Sequence, residues 1–331
     1  MIIVTGGSGF IGSVLIAALN EKGNEDILLV DEADDQNKQK NIAPLKYKQQ
    51  LGIKQFREQL QQGAFDNHPV EVIFHLGAIS TTTETSWDRL LEFNIDYTKM
   101  LIKWAADHAV RFIYASSAAT YGNGELGYKD DHALFNELKP LNLYGQSKLD
   151  VDIWARDNGY LDTVVGLRYF NIFGPNEWHK GAMQSVIAKK FPDVRDKGEI
   201  TLFKSYHPDY KDGEQKRDFF YVLDAVKATL FFLDNKQPTG IFNIGSGQAH
   251  SWSEVAVAMF AALNKDPKIT YIDMPEDVKN QYQYFTEADL TKLRATGYSR
   301  ESIPLNKAIA DYIKNYLIFG RHVGEKMAYS A

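Results

Sequence analysis

Thr5-Gly6-Gly7-Ser8-Gly9-Phe10-Ile11-Gly12 follows directly on the β-branched run Ile2-Ile3-Val4 and leads into residues with helical apolar spacing. Gly7, Gly9 and Gly12 have the G-x-G-x-x-G spacing, while Gly6, Gly9 and Gly12 match the G-x-x-G-x-x-G variant. This spacing serves three needs: a tight turn, close approach of backbone to a pyrophosphate, and a helix N-terminus whose free N–H groups bind the anion. Glycine turns are common, so position carries the argument. The turn lies between a predicted strand and a predicted helix, and an acid, Asp31, stands about 20 positions on, as in a dinucleotide-binding βαβ unit.

Working outward, short apolar runs alternate with longer helical patterns, which predicts a doubly wound parallel sheet, the Rossmann type of α/β fold. The expected strands are Ile2–Thr5, Asp26–Asp31, Val72–His75, Phe112–Ala115 and Thr163–Arg168, with helices over Ile11–Asn20 and Leu90–His108 between them. After Tyr169 the pattern loosens: Gly174-Pro175 marks a turn, and the polar stretch from Ser205 to Lys216 reads as an exposed loop. Phe219–Leu233 and Gly240–Ile244 read as a return to the sheet. The expected division is therefore discontinuous: a dinucleotide-binding domain of residues 1–170 plus 218–245, and a smaller mixed α/β substrate domain of residues 171–217 plus 246–320.

Composition narrows the function. The chain has 331 residues, 44% hydrophobic and 24% charged, an ordinary globular balance. Its net charge of -6 is spread along the sequence, so neither a nucleic-acid partner nor a membrane surface is expected. There are no cysteines, which excludes disulfides, thiolate nucleophiles and cysteine-ligated metals. No signal-peptide pattern precedes the first strand, and no apolar run reaches the roughly 18 residues of a membrane span, so a cytoplasmic location is expected. His75, His179 and His250 lack metal-ligand spacing and read as structural.

Tyr144 and Lys148 stand four residues apart, which places them on one face of a helix. A tyrosine with a pKa near 10 is a poor base at neutral pH; a nearby ammonium stabilises its phenolate. Such pairs also occur by chance, and the surroundings add weight. Tyr114-Ala115-Ser116-Ser117 runs off a predicted strand and sets hydroxyls at the carboxyl edge of the sheet, where α/β folds bind ligands. There Ser117 would hydrogen-bond a substrate oxygen beside Tyr144 as general acid/base; the plainer alternative is a helix cap. Asp31 alone favours NAD, through the adenosine ribose, but Lys38 and Lys54 follow it and would balance a 2′-phosphate, so the choice between NAD and NADP stays open here.

Taken together, the glycine turn, Asp31, His75-Leu76-Gly77-Ala78, the serine turn, Tyr144/Lys148, Arg217-Asp218-Phe219-Phe220-Tyr221-Val222 and Gly240-Ile241-Phe242-Asn243-Ile244-Gly245 resemble the extended short-chain dehydrogenase/reductase family of nucleotide-sugar epimerases and dehydratases. The dehydratases carry Asp-Glu after the serine turn; Ala118-Ala119-Thr120 here argues against elimination. The stretch from Arg168 to Met183, with Asn171, Trp178, His179 and Lys180, is similar to the ADP-glycero-manno-heptose 6-epimerases, as are Lys216-Arg217-Asp218-Phe219 and Phe285-Thr286-Glu287-Ala288-Asp289-Leu290.

That resemblance implies inversion at an exocyclic carbon by oxidation and re-reduction, with Lys180 as a second acid/base opposite Tyr144. It implies NADP, with NAD possible, and a cofactor site that adds Phe10, Ile11, Glu32, Leu76, Gly77, Ala78, Ile79, Ser80, Asn94 and Ile172 to the residues above, along with Lys148 and Lys180. On the substrate side it implies Ser117, Asn171, Ala182, Lys189, Phe203, Lys204, Ser205, Arg217 and Tyr282. Arg217 would face the diphosphate, because its fork matches phosphate oxygens; a structural ion pair is the competing role. Ala182 and Lys189 depart from the family's usual serine and histidine, and the Tyr206–Gln215 loop is longer. A homo-oligomer, pentameric in this family, is expected. The competing functions are a UDP-sugar 4-epimerase and a non-catalytic NADP-binding module.

Overall fold

The strand-forming runs Ile2-Ile3-Val4-Thr5 and Ile27-Leu28-Leu29-Val30 have no polar face, as strands covered on both sides require. The computed structural model describes residues 1–33, 35–279 and 282–325 and places them so. In chain order the strands are β1 (Ile2–Thr5), β2 (Ile27–Val30), β3 (Gln49–Leu51), β4 (Val72–His75), β5 (Arg111–Ser117), β6 (Val164–Tyr169), β7 (Asn171–Phe173), β8 (Ile200–Phe203), β9 (Lys216–Tyr221), β10 (Gly240–Ile244), β11 (Ala249–Ser251) and β12 (Ile269–Ile272). Among the described residues, seven of them form one parallel sheet in the order β3-β2-β1-β4-β5-β6-β10.

Alternation along β1 divides the core. Ile2 and Val4 pack with helix Phe10–Glu21, helix Val222–Asp234 and the C-terminal helical turns, whereas Ile3 packs with Leu28, Ile73, Leu101 and Phe112 on the other face. The sheet reverses its winding between β1 and β4, which are in register from Ile2↔Val72 to Thr5↔His75. A crevice therefore opens at the carboxyl ends of these two strands, the place where such sheets bind ligands.

The five expected strands and both helices are present, with ends shifted by a few residues. The helix over Leu90–His108 begins with a short α-turn at Trp87–Leu90 and passes through a π-helical turn at Leu91–Asp96 before Tyr97–Asp107. The expected return of Phe219–Leu233 to the sheet needs correction. β9 instead joins a separate three-stranded sheet, parallel to β7 and antiparallel to β11. Only helix Val222–Asp234, which packs on helix Phe10–Glu21, and β10 come back to the central layer. β8 and β12 form a parallel pair of their own. The expected substrate segment 246–320 crosses residues 280–281, which lie outside the described set.

Candidate active site

At the crevice, the glycine turn is shaped by contacts that only glycine permits. Gly6 has φ +69°, and a Cβ there would lie 2.5 Å from the Gly77 nitrogen, so the turn and the loop after β4 meet backbone to backbone. Helix Phe10–Glu21 starts at Gly9 with no side-chain cap and no acid in its first turn, and the buried Ser8 hydroxyl has no partner among the described residues. An uncapped helix start beside a close backbone approach fits a phosphate-bearing dinucleotide.

Asp31 closes this turn: its carboxylate accepts from the Ser8 N–H at 3.1 Å and from Lys38 Nζ at 3.1 Å. Lys38 reaches it because Asp35 caps helix Gln36–Ile42, accepting from the Asn37 and Lys38 N–H groups. Glu32 accepts from the Ile53 N–H at 2.8 Å and so tethers the start of helix Ile53–Gln61. Lys54 departs from expectation. Its side chain is 90% exposed and lies 4.0 Å from Glu58, which leaves Lys38 as the cation placed at Asp31. Asn94, on the π-turn, accepts from the Ile79 N–H and donates to the Ile79 carbonyl, fixing the loop of half-buried Leu76, Gly77, Ala78 and Ile79; Ser80 is exposed. Asn94 also donates to Ser147 Oγ, tying this loop to the next helix.

That helix, Leu143–Asp157, is capped by Asn142, whose side chain accepts from the Gly145 N–H at 2.8 Å. The cap sets Tyr144 in the first turn and Lys148 one turn on, as their spacing predicts. Lys148 is buried, donates to the Ala115 carbonyl at 2.9 Å and has its Nζ 6.0 Å from the Tyr144 ring centre. Burial pulls its amine down to about 8, against the Asp152 carboxylate, which raises it. Tyr144 differs from expectation. Burial holds its phenol above the ordinary value, and the Ser117 hydroxyl, rather than Lys148, draws it back. Ser117 Oγ accepts from the Ala119 N–H at 3.1 Å, capping the turn Ala118–Tyr121. Its own O–H stays available as a donor, so the cap and the catalytic reading coexist.

Beneath this site is a residue pair with no sequence signal. The Asp152 carboxylate accepts from Tyr114 Oη at 2.8 Å, Ser116 Oγ at 2.9 Å and Arg168 Nε at 2.9 Å, all buried. One helix thus carries Tyr144, Lys148 and the acid that clamps the serine strand against it.

Lys180 sits on the turn Trp178–Met183, half-buried, with its Nζ 5.0 Å over the Phe10 ring of the glycine turn. Burial lowers its amine, with Glu177 opposing. The segment before it is braced from far away. Buried Glu177 accepts from Ser185 Oγ at 2.7 Å and Tyr312 Oη at 3.1 Å. Asn176, at φ +75°, donates to Ser13 Oγ and accepts from the Val323 N–H. Asn41 donates to the Ser8 and Asn176 carbonyls and pairs with His322 Nδ1 at 2.7 Å. Sequence reasoning missed Asn41, Asn176 and His322 altogether.

On the far side of the crevice, Arg217 is buried on β9 with its guanidinium 5.1 Å from the Tyr282 ring centre; it donates to the Lys216 and Gln283 carbonyls. Among the described residues no carboxylate comes within ion-pair distance of it, which removes the structural salt bridge and leaves a buried cation suited to an anionic ligand. Asn171 is exposed at the start of β7 and accepts from Thr286 Oγ1 at 3.2 Å. Phe203 ends β8 and Lys204 and Ser205 follow it, with Lys204 Nζ 3.2 Å from Asp273. Ile172 is half-buried on β7. Ala182 and Lys189, both exposed, are joined by a bond from Lys189 Nζ to the Ala182 carbonyl. His75 is buried between Thr5 and Thr98 hydroxyls, and burial takes its pKa down to about 3, so it is neutral and structural.

Residues 2–245 match the family model described as "NAD dependent epimerase/dehydratase family". A protein named ADP-L-glycero-D-manno-heptose-6-epimerase from Nitratidesulfovibrio vulgaris (strain DP4) is 44% identical over 96% of this chain and 98% of its own length. One of the same name from Fusobacterium nucleatum is also 44% identical, over 96% and 98%. The crystal structure of the Helicobacter pylori ADP-L-glycero-D-manno-heptose-6-epimerase superposes with a TM-score of 0.77 at 26% identity, over 95% of each chain. The chain therefore belongs to the NAD dependent epimerase/dehydratase family and, within it, to the ADP-L-glycero-D-manno-heptose-6-epimerases.

Proposed function

We propose that this chain interconverts the two C6″ epimers of ADP-glycero-manno-heptose, with NADP as its resident dinucleotide. The observation that carries the reading is the convergence of Tyr144, Ser117 and Lys148 at the carboxyl edge of β5, two strands from the glycine turn after β1, together with a buried Arg217 that meets no carboxylate among the described residues. A bound dinucleotide would supply a reversible hydride acceptor for C6″, so that no net redox change would occur.

The protein's own groups handle the proton and the orientation. Tyr144 takes the C6″ hydroxyl proton as hydride leaves, while Ser117 donates to the same oxygen. Its phenolate is costly in a buried place; the Ser117 hydroxyl lowers that cost, and the Lys148 ammonium, 6.0 Å from the ring centre, adds a cation nearby. The ketone turns about the C5″–C6″ bond and presents its other face, with its oxygen now aimed elsewhere. Lys180 is the group proposed to serve that second orientation. Its amine is lowered by burial, the direction that a lysine acid/base requires. Arg217 holds the diphosphate throughout, so only the exocyclic carbon moves.

NADP rather than NAD rests on Lys38, whose ammonium stands at Asp31 where a ribose 2′-phosphate would be balanced. The same reading takes residues 1–170 plus 218–245 as the cofactor domain and 171–217 plus 246–320 as the substrate domain. It also places the enzyme in the cytoplasm as a homo-oligomer, pentameric by resemblance, supplying heptose for lipopolysaccharide core. Among the described residues no helix is long and apolar enough to cross a membrane. The test is a substrate panel. Purified enzyme should convert either ADP-heptose epimer to a mixture of both, and Tyr144→Phe and Lys180→Met should each cut turnover by about 100-fold or more, in the range of lost acid/base groups. Conversion of a UDP-hexose but not the ADP-heptose would replace this reading with a UDP-sugar 4-epimerase.

A further inference from the structure

Between β8 and β9 the chain makes a long excursion whose base is stapled shut. The Ser205 N–H donates to Asp212 Oδ1 at 2.7 Å, and Gln215 Nε2 donates to the Lys204 carbonyl at 3.2 Å. The Gly213 carbonyl accepts from both the N–H and the hydroxyl of Ser253, at 3.0 and 3.2 Å. Gly213 has φ +75°, and a Cβ there would lie 2.6 Å from Ser253 Oγ, so this corner admits no side chain. Only the tip, residues 206–211, projects outward. Tyr206 braces it from one side, donating to Asp273 at 2.7 Å, and is itself 48% exposed.

The tip extends a row of rings that starts at Arg217. The Arg217 guanidinium faces Tyr282; Tyr282 meets Tyr284 edge-on at 5.1 Å; and Tyr284 lies 5.0 Å from His207 and 5.7 Å from Tyr210, the last pair tilted by 35°. Tyr210 is half-buried, within electrostatic reach of the Arg217 guanidinium.

A nucleoside diphosphate sugar is a linear molecule with its base and its sugar on opposite sides of the diphosphate. If Arg217 holds the diphosphate and the sugar reaches toward Tyr144, the base must leave Arg217 in the other direction. A row of rings runs from Arg217 through Tyr282 and Tyr284 to Tyr210 on the tip. We infer that the 206–211 tip is a nucleobase platform, in which Tyr210, backed by Tyr284, stacks the adenine of the nucleotide sugar; this rests on the substrate reading given above. Aromatic faces suit a base because every base presents a π-face. A loop already stapled at its foot gives up little further freedom on binding. Packing alone does not account for the tip, since residues 206–211 add nothing to the buried core and Tyr206 is left 48% exposed.

The test compares two ligands on holoenzyme, so that the dinucleotide site is filled. Calorimetry measures ADP and inorganic pyrophosphate binding to the native protein, Tyr210→Ala and Tyr210→Phe. Tyr210→Ala should weaken ADP by roughly 5- to 150-fold, the range of a lost base–aromatic stack, and leave pyrophosphate within about twofold. Tyr210→Phe should bind ADP as the native protein does. In turnover, Tyr210→Ala should raise KM with kcat nearly unchanged, because base binding is the same in ground and transition states. Equal loss of ADP and pyrophosphate, or loss of neither, overturns the platform. Native protein that prefers UDP to ADP contradicts the substrate reading instead, and the Tyr210 comparison is then read with UDP.

Discussion

Replacing Asp152 with asparagine should destabilise the protein and disturb catalysis through one cause. The carboxylate takes three buried bonds, from Tyr114, Ser116 and Arg168, and the Arg168–Asp152 pair is 0% exposed on both sides. An asparagine side chain would keep the shape but lose the charge, and its amide N–H groups would confront the Arg168 donors. Arg168 would retain only the rings of Phe135 and Tyr121, at 4.4 and 4.8 Å. Breaking one side of a buried pair costs about 3–5 kcal/mol. At roughly 2 °C per kcal/mol for a large domain, thermal unfolding followed by circular dichroism should show a fall of about 6–10 °C. Asp152→Asn combined with Arg168→Leu should recover much of it, since removing both partners leaves no stranded charge. Because Asp152 also raises the Lys148 amine, its loss should push that amine below about 8 and move the alkaline limb of the pH–rate profile downward. A fall under about 2 °C, or a double variant no better than the single one, would refute the argument.

Three further outcomes follow from the geometry. Gly6→Ala forces a Cβ against the Gly77 backbone at φ +69°, so the purified variant should carry no dinucleotide, as judged by mass spectrometry of released cofactor. Lys38→Ala should weaken NADP by about tenfold or more while changing NAD little, measured by equilibrium titration, since a charged hydrogen bond contributes about 1.5–3 kcal/mol. Buried His75 stays neutral in the fold down to about pH 3, whereas the unfolded chain protonates it near 6.5; its contribution to stability is thus constant above pH 6.5 and falls below it by about 1.4 kcal/mol per pH unit. Denaturation at about pH 7.5 and about pH 5, on either side of that unfolded-state value, should show the loss, reduced in His75→Gln.

The legible parts of the sequence were those with a local cause. β1 and β4 appear as runs apolar on both faces, the glycine turn as a spacing, and Tyr144/Lys148 as neighbours one helical turn apart. What escaped depends on distant partners. The Phe219-Phe220-Tyr221 end of β9 is as apolar as a central strand, and nothing local reveals that β9 pairs with Asn171–Phe173 and Ala249–Ser251. Lys38 and Lys54 look alike in sequence; the Asp35 cap turns one toward Asp31, while the other extends into solvent. Nothing local in the sequence pairs Asp152 with Arg168, which reads only as the end of a strand; the fold buries both. Asn41 and His322 are 281 positions apart, and only the fold brings the C-terminal segment onto the turn that carries Lys180.

Isotope tracing addresses the chemistry most directly. ADP-heptose carrying deuterium on C6″, turned over by holoenzyme in ordinary water, should yield the opposite epimer with its deuterium still on C6″, because the hydride leaves and returns within one molecule's visit. Replacement of that deuterium by solvent hydrogen would mean that C6″ is deprotonated instead, and the roles given to the dinucleotide crevice, Tyr144 and Lys180 would fall together.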